Sequence, residues 1–221
     1  MINVKRHTQL ALAYFLMAAT LGLVLRTSYT TEIPLTYRFV VHAHSHIALL
    51  GWIYMALTTL LYKLFLEGQA LEKKYRYLFL FTQFTLVGML LTFPFTGYAL
   101  FSIIFSTLFL FASYGFAWLF IKNTPLALKR TNSYRCIKTA LIYMAISSIG
   151  PWTLGGIMST LGPTSDWYRI AIYFYLHFQY NGWMTLALLG IFFFVLEQKN
   201  ILLPKKTFKT IYWSLNIGII L

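Results

Sequence analysis

Apolar stretches long enough to cross a membrane recur along the whole chain, and no other feature limits its fold as strongly. A helix needs about 20 apolar residues to cross a hydrocarbon core, and such stretches fall at roughly residues 8–25, 38–62, 75–94, 98–121, 137–159 and 168–196. A further run, Phe208 to Leu221, would rise about 21 Å as a helix, short of the roughly 30 Å core. It ends without a polar flank, as the start of a seventh span would. The first run follows Lys5 and Arg6 as the core of a signal peptide does, yet it lacks a small-residue cleavage site and reads as a retained helix. The expected fold class is all-α: a polytopic transmembrane helix bundle of six complete helices plus the start of a seventh. No polar segment is long enough for a soluble domain, so a single transmembrane domain over residues 1–221 is expected.

Charge supports this and gives a direction. Only 10% of the residues are charged, against about 25% in soluble domains. Of the 18 Lys and Arg residues, fifteen fall at the amino terminus and in the even-numbered loops, and three, Arg26, Arg38 and Arg169, in the odd-numbered loops. Cytoplasmic loops carry the excess of basic residues, so the amino terminus is expected in the cytoplasm, in a bacterial inner membrane. The net charge of +13 does not point to nucleic acid, which needs basic residues gathered on one solvated face. Anionic lipid and topology account for the basic loops. Tyr37, Trp118, Trp167, Tyr168 and Tyr212 lie near span ends, where amphipathic rings favour the interface.

Against this apolar background, Val40-Val41-His42-Ala43-His44-Ser45-His46-Ile47-Ala48-Leu49-Leu50-Gly51-Trp52 brings three imidazoles into the second span within five residues. His42 and His46 share one helix face, and His44 points roughly the opposite way. The sixth span carries His177, with Asn181 one turn further on the same face. Arg38 precedes His46 by eight residues and Arg169 precedes His177 by eight, which puts both imidazoles about 12 Å below the outer boundary. Ionisable residues inside spans are rare and usually functional. The bland alternative is a hydrogen bond to a neighbouring helix. His7, in the basic amino-terminal segment, reads as a plain surface residue.

The remaining titratable groups narrow the chemistry. All five carboxylates, Glu32, Glu67, Glu72, Asp166 and Glu197, fall in loops or at span ends, whereas proton-coupled transporters place acids deep in spans. The single cysteine, Cys136, allows no intrachain disulfide, and no C-x-x-C-H occurs for covalent haem attachment. Imidazole is the one strong ligand available, suited to haem iron, copper or zinc.

The spacing His42-Ala43-His44-Ser45-His46 followed by Leu50-Gly51-Trp52, on an aromatic-rich polytopic chain, resembles the haem–copper oxidase subunit I superfamily, nearest its nitric oxide reductase branch. The stretch Tyr175-Leu176-His177 through Asn181-Gly182-Trp183 is similar to that branch's active-site helix, where a histidine ligand is followed four residues later by Glu. Asn181 stands here in place of the acid. The resemblance implies non-covalent haem, b-type or related, near the outer face, with His42 or His46 on one haem and His44 on another. It implies that His177 faces a high-spin haem or a non-haem metal, copper or iron. An electron-donor cytochrome or quinol and other oxidase-like subunits are the implied partners, beside the lipid bilayer. The motifs cover about thirty residues, and Phe208–Leu221 lacks the histidine pair that the family places on its next helix. The chain thus reads as divergent or truncated, with an incomplete set of active-site ligands.

The leading expectation is a membrane haem-binding redox protein with His42, His44, His46 and His177 as cofactor-binding residues. His42, His46 and His177 are the candidate metal ligands, and Asn181 stands behind His177. The rival expectations are histidine-based copper or zinc handling, and a structural or assembly subunit without cofactor.

Overall fold

The computed structural model describes residues 3–221, which form helices and, among the described residues, no strand. Among the described residues six helices are long and apolar enough to cross a membrane: α1 Val4–Thr27, α2 Tyr37–Leu66, α3 Glu72–Thr96, α4 Leu100–Asn123, α6 Asn132–Thr160 and α7 Asp166–Gln198. A short α5, Leu126–Lys129, precedes α6, and α8 spans Lys205–Ile220. The chain is an all-α, multi-pass membrane helix bundle. Its outward surface is apolar where a water-soluble bundle would be charged: Leu16 is 67% exposed, Leu91 64% and Leu100 68%. Contiguous apolar surface of that kind belongs against lipid.

By internal contact the chain divides into two compact units, Met1–Asn123 and Thr124–Leu221. In the first unit, α1 and α2 approach closely at Gly51, where an added Cβ would lie 2.9 Å from Cγ of Tyr14. The Tyr14 hydroxyl then donates to Gln83 Oε1 on α3 at 2.9 Å, tying three helices together. Towards the amino end of α1, the His7 ring stacks on Phe79 with centroids 3.7 Å apart, and Tyr75 stacks on Tyr62 at 3.9 Å. His7 is therefore half-buried against aromatic rings, not the plain surface residue expected of a basic segment. Gly97 closes the α3–α4 turn at φ +59, a conformation that glycine adopts without cost.

In the second unit, α6 and α7 approach at Gly182, where an added Cβ would lie 2.6 Å from Cβ of Tyr143. The Tyr143 hydroxyl donates to Asn216 Oδ1 on α8 at 2.9 Å. Cys136, Phe193 and Phe208 form a buried cluster, with Tyr212 packed against it. Glu197, near the end of α7, accepts hydrogen bonds from the Asn132 and Ser133 amides and from the Ser133 hydroxyl. It thereby satisfies the first free N–H groups of α6 with a charge that the helix dipole favours.

Two spans contain π-helical stretches. α2 is π-helical over Ile47–Tyr54 and again over Tyr62–Leu66, and α7 over Phe178–Met184. π-helical stretches are rare and cluster at functional sites. In α2 the first begins at the residue after His46, and in α7 at the residue after His177.

Candidate functional site

His42, His44 and His46 lie in the first unit, His177 and Asn181 in the second. The three clustered rings divide between the two faces of α2. His44 turns to α1, where its Nδ1 is 2.9 Å from the Ala18 carbonyl oxygen. Gly22 leaves room for the ring, since a Cβ there would sit 3.2 Å from His44 Cε1. His42 and His46 turn to the end of α3 and the turn after it. The His46 ring stacks on Phe93 at 4.3 Å, and His42 meets Tyr98 edge-on at 4.6 Å.

Hydrogen bonding fixes which nitrogen carries the proton. A carbonyl oxygen only accepts, so His44 must donate from Nδ1 to Ala18. His46 likewise donates from Nδ1 to the His42 carbonyl at 2.8 Å. In the neutral form of each ring Nε2 is then the lone-pair nitrogen, and no residue among those described bonds to it. Ring N–H to backbone carbonyl is the arrangement by which proteins orient metal-ligating imidazoles and raise their basicity. Both residues are partly rather than fully buried.

His177 is held differently. Its Nε2 is 2.8 Å from the Ile219 carbonyl oxygen on α8, so Nε2 donates, and Nδ1 accepts from Asn181 Nδ2 at 3.2 Å. Asn181 therefore sits where the helical spacing puts it, one turn from His177, and it is exposed. Both nitrogens of His177 are engaged, one firmly and one through an exposed amide at the long end of hydrogen-bond range.

The acidic groups stay at the helix ends. Glu67 pairs with Lys63, Asp166 with Arg169, and Glu197 caps α6. Among the described residues no three His, Cys, Asp or Glu side chains are grouped to hold a metal ion. Haem iron is held by one or two axial side chains and requires no such group.

One feature of the site was written in the sequence and missed there. Arg38 and His46 are followed by Gly51-Trp52 at the same spacing as Arg169 and His177 by Gly182-Trp183. The Arg–His spacing speaks only of depth, whereas its continuation into Gly-Trp marks a recurring pattern. Glu197, read only as a span-end carboxylate, is the residue that ties α7 to the start of α6. Compared with known proteins, the chain matches no family model, no curated protein and no solved structure.

Proposed function

We propose that this chain is a membrane haem-binding redox protein, seated in a bacterial inner membrane with its amino terminus in the cytoplasm. Imidazoles of its histidine-bearing spans ligate non-covalent haem towards the outer face. The observation that carries the reading is the state of His46, which gives Nδ1–H to the His42 carbonyl and keeps an Nε2 lone pair without a protein partner. An imidazole nitrogen left unpaired in lipid is costly, so the free Nε2 of His46 calls for a ligand. The donor set fits haem, which asks for neutral, oriented imidazole and no carboxylate.

Bound haem would supply one-electron transfer, or gas binding at an open iron position. The chain's own part is to hold its ligating rings neutral, oriented and partly shielded from water. An electron-donor cytochrome or quinol and oxidase-like subunits are the partners this reading calls for, in line with the resemblance to the haem–copper oxidase superfamily. Copper or zinc handling is the second reading; its support is limited to the same free imidazole nitrogens.

The test is a reduced-minus-oxidised visible spectrum of the detergent-purified chain, with a pyridine extract to count haem. Sharp bands that vanish on replacing His42, His44 and His46 together with Ala are expected. A flat spectrum in protein produced with ample haem would sink the haem reading, and metal-dependent uptake by that protein would put copper or zinc in its place.

A further inference from the structure

Three successive helices of each unit, α1 to α3 in the first and α6 to α8 in the second, match in sequence and in contact. Along α2 and α7, Tyr37, Arg38, His46, Gly51, Trp52, Ala56 and Leu57 recur at one constant offset as Tyr168, Arg169, His177, Gly182, Trp183, Ala187 and Leu188. The preceding helices share Arg6, Ala11, Leu12 and Tyr14 with Arg135, Ala140, Leu141 and Tyr143, again at one offset. The three buried residues of α1, Ala11, Tyr14 and Ala18, fall on buried Ala140, Tyr143 and Ser147 of α6.

The contacts agree as well. In each unit the tyrosine of the first helix covers the glycine of the second and donates to a carboxamide on the third: Tyr14, Gly51 and Gln83 in one, Tyr143, Gly182 and Asn216 in the other. The aromatic packing of His7, Tyr62 and Tyr75 has its counterpart in Cys136, Phe193 and Phe208. Apolar composition alone does not produce a matching register on three successive helices. The chain contains two copies of one three-helix unit.

What the copies kept can be sorted by what explains it. The glycine and the tyrosine are explained by their mutual contact. The histidine is not: His46 donates to the His42 carbonyl of its own helix, and His177 donates to the Ile219 carbonyl of the next one. No protein partner is common to the two. His42 and His44, in contrast, are Tyr173 and Tyr175 in the second copy. The His44 position is a packing position in both, since Gly22 faces His44 and Gly150 faces Tyr175, where an added Cβ would meet Tyr175 Cβ at 2.9 Å.

We propose that His46 and His177 are one ligand position present twice, each copy offering one imidazole to haem, whereas His42 and His44 belong to the first copy alone. This rests on the haem reading and narrows it from four candidate histidines to two. In each ring one N–H is given to a carbonyl. The ligating nitrogen is Nε2 in His46 and Nδ1 in His177, where the exposed Asn181 amide must swing away.

The test uses the full chain, with haem counted per chain and the reduced spectrum recorded for His42→Gln, His44→Gln, His46→Gln and His177→Gln. His46→Gln and His177→Gln should each lose at least half of the haem or shift its bands, while His42→Gln and His44→Gln keep wild-type content and spectrum. Because His177→Gln also breaks the bond to α8, a second variant, His177→Gly, is titrated with free imidazole, which restores the spectrum if the ring is a ligand. Wild-type haem content and bands in His177→Gln, or loss of haem in His44→Gln with none in His46→Gln, overturns the proposal while leaving haem binding intact. A wild-type chain that takes up no haem overturns the haem reading and this proposal with it.

Discussion

In the first unit the recurring histidine, His46, leaves one nitrogen unused; in the second, His177 has both nitrogens engaged by Ile219 and Asn181. The framework around them differs far less than this. Both units set a tyrosine over a glycine, and both tie that tyrosine to a carboxamide on the next helix. The comparison separates framework from function within one chain: features shared with the same partners belong to packing, and a feature shared with different partners calls for an explanation outside the protein. The carboxyl ends of the two spans, in contrast, are put to different uses. Near its carboxyl end α2 carries the exposed pair Lys63–Glu67, whereas α7 carries Glu197, which caps the start of α6.

The glycines break the comparison most sharply. An alanine at Gly182 would put its Cβ 2.6 Å from Tyr143 Cβ, an atom fixed by the backbone, whereas at Gly51 the nearest atom is Tyr14 Cγ at 2.9 Å. Gly182→Ala should cost about 3 kcal/mol and Gly51→Ala about 1–2 kcal/mol, the range for overpacking a filled core. Thermal unfolding in detergent measures both; equal costs would mean that the two tyrosine–glycine contacts are not distinguished as their geometry suggests. Next in size is Glu197→Ala, which leaves two amides and a hydroxyl at the start of α6 without their acceptor. A lost cap costs about 1–2 kcal/mol, so proteolysis between α5 and α6 should quicken in that variant, and a wild-type cleavage rate would refute the capping role.

The fold was legible in the sequence because span length and low charge are properties of composition. The expected stretch 38–62 became Tyr37–Leu66, and 168–196 became Asp166–Gln198: the helices run on into residues that hydropathy alone would leave out. The opposed faces of His42 and His44 were legible too, since they follow from helical period. The carbonyls that hold His44, His46 and His177 were not, because backbone acceptors leave no mark in a side-chain pattern. Nor were the π-helical stretches after His46 and His177, which arise from a change in hydrogen-bond register rather than from residue type. His7 was misread because Lys5 and Arg6 beside it suggest water, while the ring itself reaches Phe79 on another helix. The duplication was readable, but a few identical residues among many apolar ones carry weight only once their contacts are seen to agree.

The smallest predicted effects sharpen the comparison, because they compare the same bond in two settings. The Tyr143–Asn216 bond is buried and the Tyr14–Gln83 bond partly buried. Hydrogen bonds between membrane helices are worth about 0.6 kcal/mol on average and about 1.7 kcal/mol at most, so Tyr143→Phe should cost about 1 kcal/mol and Tyr14→Phe about half of that. Asn216 keeps its own donor bond to the Tyr212 carbonyl, which holds the amide in place and leaves Oδ1 unpaired in Tyr143→Phe. Gln83 donates instead to the Met55 sulfur at 3.5 Å, a softer restraint that lets its oxygen turn elsewhere once Tyr14 loses its hydroxyl. A double-mutant cycle on each pair reads these coupling energies directly. A larger coupling for Tyr14–Gln83 than for Tyr143–Asn216 would place the stiffer framework in the first unit, and the free nitrogen of His46 would then sit on the more rigid of the two copies.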